Sequence, residues 1–263
     1  MRTFLLLCAL FTSLAFADSD ECVKIRSSKN PDNRSINIVF VASGFLGKLD
    51  EFESSVKDHW KEISAYEPFS DQVETLNVWI VKASLASDGF CSFSNSIERL
   101  TKCNSLKGLL LANKCTNFTN RQVVIIHNTD RYGGSGGAVA AATNHPKSAR
   151  VIVHELGHSL FNLADEYEAS DGSLKGPNCA PVKNNCSSWQ DLIDAGLATC
   201  QPGCPSTKRL MSYPSVMKAL EENSFGHVNH RHICCKFKKE TGEYPGFCDQ
   251  YATIGEGLDR FCR

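Results

Sequence analysis

The chain has 263 residues, of which 22% are charged, with 28 Lys and Arg against 29 Asp and Glu. No tract of like charge stands out, so neither nucleic acid nor an anionic membrane is an expected partner. That length can bury a sizeable core in a single domain.

Residues 1–17 read as a secretory signal. Arg2 gives the positive start, Phe4 to Leu10 the apolar run, and Ala15-Phe16-Ala17 a small-x-small cleavage site. The apolar run is shorter than the roughly 20 residues of a membrane span, so the mature chain, 18–263, is expected to be extracellular. Of 13 Cys, Cys8 lies in the signal, and the remaining twelve predict up to six disulfides. Adjacent Cys234 and Cys235 are expected to take different partners. The alternative use of Cys200, Cys204, Cys234 and Cys235 is a structural zinc. Asn33, Asn117 and Asn185 each begin an N-x-S/T glycosylation acceptor.

Ser35 to Val41 is nearly apolar on both faces, which predicts a central strand. The periodicity predicts a helix over 52–66, a strand over 76–81 and a strand over 122–127. Residues 85–120 read as an irregular, disulfide-stapled insertion. A Gly-rich run at 132–137 and a run of Ala at 138–142 precede a helix over 148–162. From Glu168 onward the chain is rich in Cys and turns, with helices expected at 189–197 and 225–239. The expected organisation is one domain, with a sheet-and-helix subdomain at 18–163 and a Cys-rich subdomain at 164–263.

The helix over 148–162 carries His154-Glu155-Leu156-Gly157-His158. Two His four residues apart lie on one helical face and can reach a single Zn²⁺. The Glu after the first His is placed to act as general base on a zinc-activated water. A catalytic zinc also needs a third protein ligand. Phe161 and Ala164 occupy the positions where the widespread extension of this motif has Gly and His. Asp165 is the best candidate. On a continuous helix it would sit about 10 Å beyond His158 along the axis, too far to share an ion. It can ligate only if the helix stops after Leu160 or Phe161, with Asn162 as the left-handed terminating residue. Glu166 is the first substitute, followed by His127, His230 and His232. His127 at a strand end suits a hydrogen-bonded structural residue, and most of His227, His230 and His232 are read as solvated.

The string from His154 through Asp165-Glu166-Tyr167 resembles the IgA peptidase family of zinc metallopeptidases, whose pattern is HExGH followed by L-x-D-E-Y. Supporting likenesses are Ile36–Phe40 with Gly44-Phe45, Glu67-Pro68-Phe69, Leu76–Trp79, Tyr132–Gly136, Ser215–Lys218 and Phe225–Asn229. Together they run over residues 34–232. The resemblance implies an α/β (α+β) zincin-like fold, a mixed twisted sheet over an active-site helix with a disulfide-rich C-terminal subdomain. It implies that His154, His158 and Asp165 bind Zn²⁺ and that Glu155 is the catalytic base. Met217 resembles the Met of the turn under the metal, with Met211 as a rival. Tyr213 or Tyr167 would assist the oxyanion. The implied activity is a secreted metalloendopeptidase acting on a peptide or protein. The alternative is a non-catalytic secreted zinc-binding protein of the same fold. The sequence assigns no oligomeric state.

Overall fold

The computed structural model describes residues 21–70, 73–86, 88–168, 176–181, 186–204, 209–211 and 215–263. The expected signal, Asn185 and Tyr213 lie outside them, as does the side chain of Met211. A six-stranded sheet organises the N-terminal half, in the order β1-β3-β2-β6-β8-β7. Its parallel centre is β3 (Leu76–Val81), β2 (Ile36–Ser43), β6 (Arg121–His127) and β8 (Ala140–Thr143). The edges are antiparallel: β1 (Cys22–Arg26) on one side and the two-residue β7 (Gly134–Ser135) on the other.

Every residue of β2 is buried. Its alternate residues divide between two cores. Ile36, Ile38 and Phe40 join the main core, and Val39 and Val41 join a smaller one on the opposite face. That split is the physical content of a strand that is apolar throughout. Two helices, α1 (Leu49–Ile63) and α3 (Ser148–Ser159), pack against one another on the main-core face. The buried stripe of α1, Phe52, Val56, His59 and Ile63, follows helical spacing. The helix starts three residues before the expected 52 because Asp50 and Glu51 suit a first turn.

Residues 85–120 are more regular than expected. They hold a hairpin of β4 (Cys91–Phe93) and β5 (Thr101–Cys103), closed by the Cys91–Cys103 disulfide, and then α2 (Ser105–Ala112). The Asn104 side chain caps α2 by accepting from the Lys107 N–H. A Cβ at Gly108 would lie 2.7 Å from Ile125 Cδ1, so glycine permits the close approach of α2 to the sheet. Cys115 bonds to Cys22 and staples the insertion to β1.

The C-terminal half carries β9 (Ala180–Pro181), α4 (Gln190–Asp194), β10 (Gln201–Pro202) and β11 (Arg209–Met211). These three strands form a small antiparallel sheet. The helix expected at 189–197 is shorter: a 3-10 turn at Ser187–Trp189 runs into α4, which ends at Asp194 before Gly196 at φ 73°. Then come α5 (Gly226–Thr241) and α6 (Leu258–Phe261). The remaining disulfides are Cys179–Cys204, Cys186–Cys200, Cys234–Cys248 and Cys235–Cys262. All twelve described cysteines are paired, Cys234 and Cys235 to different partners, which leaves no thiolate among the described residues for a cysteine-held metal. The mixed sheet, helices and disulfides give the α/β architecture that the resemblance implies.

The histidines of α5 are not solvated as expected. His230 is buried, with its ring 5.1 Å from Phe247 and 6.4 Å from Phe225. Burial pushes its pKa down to about 3, and burial pushes His232 down to about 4. Each folded value lies below the ordinary histidine value near 6.5. The unfolded chain therefore binds protons first as pH falls, and the stability present above about pH 6.5 declines toward pH 4. Glu67 Oε2, 3.7 Å from His230 Nδ1, is the acid facing that ring. We expect His230→Leu to lose less thermal stability between pH 7 and pH 4 than the parent chain. Parallel melting curves in the two proteins would contradict this.

Candidate active site

The site is assembled where α3 ends. Leu160 N–H still bonds to Leu156 O, but Asn162 adopts φ 57° and the chain turns back. Asn tolerates this left-handed conformation better than most residues. The helix therefore stops three residues before the expected 162, and Asp165 returns beside the two histidines. Asp165 Oδ1 lies 3.1 Å from His154 Nε2 and 3.1 Å from His158 Nε2. The two Nε2 atoms are 3.2 Å apart.

Both rings are oriented by backbone. His154 Nδ1 is 2.8 Å from Val216 O, and His158 Nδ1 is 2.8 Å from Leu163 O. Nδ1 must donate to a carbonyl, so each neutral ring presents a bare Nε2 lone pair to the same point. Two such lone pairs at 3.2 Å repel unless a cation lies between them. Ligands of a tetrahedral ion at about 2.0–2.1 Å stand about 3.3 Å apart, close to the spacings found. His154, His158 and Asp165 form a buried group able to hold a metal ion.

The electrostatics agree with that chemistry. Burial works against a charged His154, yet the Asp165 hydrogen bond, Glu155 and the Val216 carbonyl raise its pKa to about 9. Burial would raise the Asp165 carboxyl, but hydrogen bonds from His154 and His158 and their charge hold it well below the usual carboxylate range. The pocket thus attracts positive charge, which a metal supplies in place of protons. Burial pushes Glu155 up from its ordinary value, partly opposed by His154 and His158. Burial therefore favours the neutral form of this carboxyl more than water would.

Glycines bring backbone and sulfur close to these groups. A Cβ on Gly157 would collide with Met217 Sδ, so the buried Met217 packs directly under α3. Of the two expected methionines, Met217 has this place. A Cβ on Gly136 would collide with Glu155 Oε2 and lie 3.0 Å from His158 Cδ2. The Gly-rich run therefore passes directly over Glu155. Tyr167 is partly exposed, with its ring centroid 6.3 Å from that of His154.

Glu166 is neither a ligand nor a solvated acid. It is buried, and its Oε1 accepts from Asn178 Nδ2 and Asn229 Nδ2, both at 2.9 Å. Its Oε2 accepts from Ser215 Oγ at 2.8 Å, and its N–H donates to Met217 O. Glu166 thereby ties the segment after α3 to the Met217 turn and to α5. The sequence reading missed this role, since its partners are 12, 49 and 63 residues away. His127 caps β6 near Ser43 O and is not among the three donors, and neither are His230 and His232.

The family model described as IgA Peptidase M64 matches residues 111–208. Over that segment the chain is similar to the IgA Peptidase M64 family. The matched segment runs from the end of α2 to the residue before β11 and holds all three donors, Glu155 and Glu166. It is narrower than the span 34–232 over which the family resemblance was read. No curated protein matches the chain. The buried three-donor group lies wholly within the segment that resembles that peptidase family.

Proposed function

We propose that the protein is a secreted zinc metalloendopeptidase, folded as one domain over 18–263 with subdomains 18–163 and 164–263. The observation that carries this reading is the convergence of His154, His158 and Asp165 beside the buried Glu155. Two imidazole nitrogens and one carboxylate oxygen suit Zn²⁺ with one open position. When bound, zinc supplies Lewis-acid activation of a water at neutral pH. Glu155 takes the proton of the attacking water and later returns it to the leaving amine. The Val216 and Leu163 carbonyls keep the rings in register throughout. Tyr167, beside His154, is the described tyrosine assigned to the developing oxyanion.

Secretion is supported by the signal-like 1–17 and by twelve paired cysteines. Among the described residues, no helix is long and apolar enough to cross a membrane. Asn33 and Asn117 are exposed and remain proposed glycan acceptors. A non-catalytic zinc protein would leave Glu155 buried and raised with no task, so the hydrolase is the preferred reading. The test is cleavage of casein by the purified protein. Chelation should stop it and added zinc should restore it, whereas turnover that is indifferent to chelator would overturn the proposal.

A further inference from the structure

The Cys91–Cys103 hairpin occupies part of the outer edge of β7, the strand that leads to Gly136 beside Glu155. Gly133 O accepts from Thr143 N–H, so Gly133 and Ser135 turn their polar groups inward to β8. Gly134 N–H instead donates to Arg99 O at 3.0 Å, and Leu100 and Gly134 form an isolated parallel bridge. The outward-facing groups of Gly134 are therefore already used by the hairpin. The next outward-facing position along the run is Gly136, which lies against Glu155 and His158.

The hairpin is firmly held in this place. Arg131 donates to Glu98 O at 2.6 Å, and its guanidinium lies 4.0 Å from the Phe93 ring centroid. A Cβ at Gly133 would lie 2.9 Å from Phe93 Cε1, so the two segments are packed to contact. Residues 95–99 form an exposed tip beyond it.

From these observations, and resting on the peptidase reading above, we infer that the hairpin determines specificity by ending the substrate track on one side of the scissile bond. An extended peptide adds to a sheet edge through its main chain, and antiparallel pairing is the more stable form. The run from Gly134 to Gly136 approaches Glu155, so an antiparallel peptide travels from Gly136 back toward Gly134. Its residues after the scissile bond meet Arg99 and Leu100 within two strand positions, about 7 Å. Beyond that the substrate leaves the edge. Sequence preference and binding energy are then drawn from the residues before the scissile bond.

The test uses nested synthetic peptides spanning one cleaved casein bond, lengthened on one side at a time and assayed with the zinc-loaded chain. Extension by three residues before the bond is expected to raise kcat/KM by about tenfold. Extension beyond the second residue after the bond should raise it less than twofold. A second protein replaces Ser94–Leu100 by Asn-Gly, the two-residue connection suited to the Phe93–Thr101 pair. It should gain about fivefold from the same C-terminal extension. Equal gains on both sides in the parent chain, or an unchanged profile in a folded shortened hairpin, would overturn the inference while leaving the peptidase reading intact. If the shortened hairpin does not fold, the parent ladder decides alone. Absence of any cleavage by the zinc-loaded parent would overturn both.

Discussion

Glu155→Gln is expected to lower kcat on casein by about 10³-fold or more while leaving zinc bound. Gln preserves the length and shape of a side chain confined between Gly136 and the two histidines. It cannot accept a proton. Glu155 is absent from the donor group of His154, His158 and Asp165, so ligation should not change. The paired measurement is zinc content by atomic absorption and turnover on the same preparation. Activity within tenfold of the parent would remove Glu155 from the role of base. Loss of zinc together with activity would mean that the residue holds the site rather than performing the chemistry.

Glu166→Ala is expected to be the most damaging substitution to stability near the site. It deprives Asn178 Nδ2, Asn229 Nδ2 and Ser215 Oγ of a shared acceptor in a buried setting. Unsatisfied buried groups cost about 1–3 kcal/mol each, so a loss of about 3 kcal/mol or more is expected, roughly 10 °C in Tm for a chain of this size. The same change loosens the carbonyl of Val216, which orients His154, because Glu166 anchors Ser215 and Met217 on either side of it. Zinc affinity should fall about 10–100-fold, as for other residues that support metal ligands. Glu166→Gln keeps the shape and one acceptor and should lose markedly less. A Glu166→Ala protein that melts with the parent and binds zinc equally well would refute the anchoring role.

The main elements were legible where one periodicity prevails. β2 and β6 announce themselves as apolar runs because both of their faces meet a core. The helix stop near Asn162 was legible as a condition: for Asp165 to reach His158 the helix had to end before it, and Asn162 takes φ 57° there. The edge strands β1 and β7 were not seen. Cys22–Arg26 is mostly half-buried and mixed in character, and β7 has only two residues, one of them Gly. The Ala140–Thr143 strand escaped because a run of Ala favours no strand by propensity; burial between β6 and β7 decides it. The α5 histidines were misread because Arg231 and the nearby lysines suggested a solvated face. Instead Arg231 is itself buried, paired to Asp191 at 2.5 Å. Glu166 escaped for a different reason: two adjacent acids look alike in sequence, and only tertiary partners separate a ligand from an anchor.

In the proposed enzyme His154, His158 and Asp165 together hold one catalytic zinc. The most direct measurement titrates metal-free protein with Zn²⁺ while following casein turnover, in parallel with Asp165→Ala. Activity should rise to a break at one zinc per chain, and Asp165→Ala should bind zinc weakly and show little turnover at the same ratio. Full turnover in the metal-free chain, or an Asp165→Ala titration that superimposes on the parent, would contradict it.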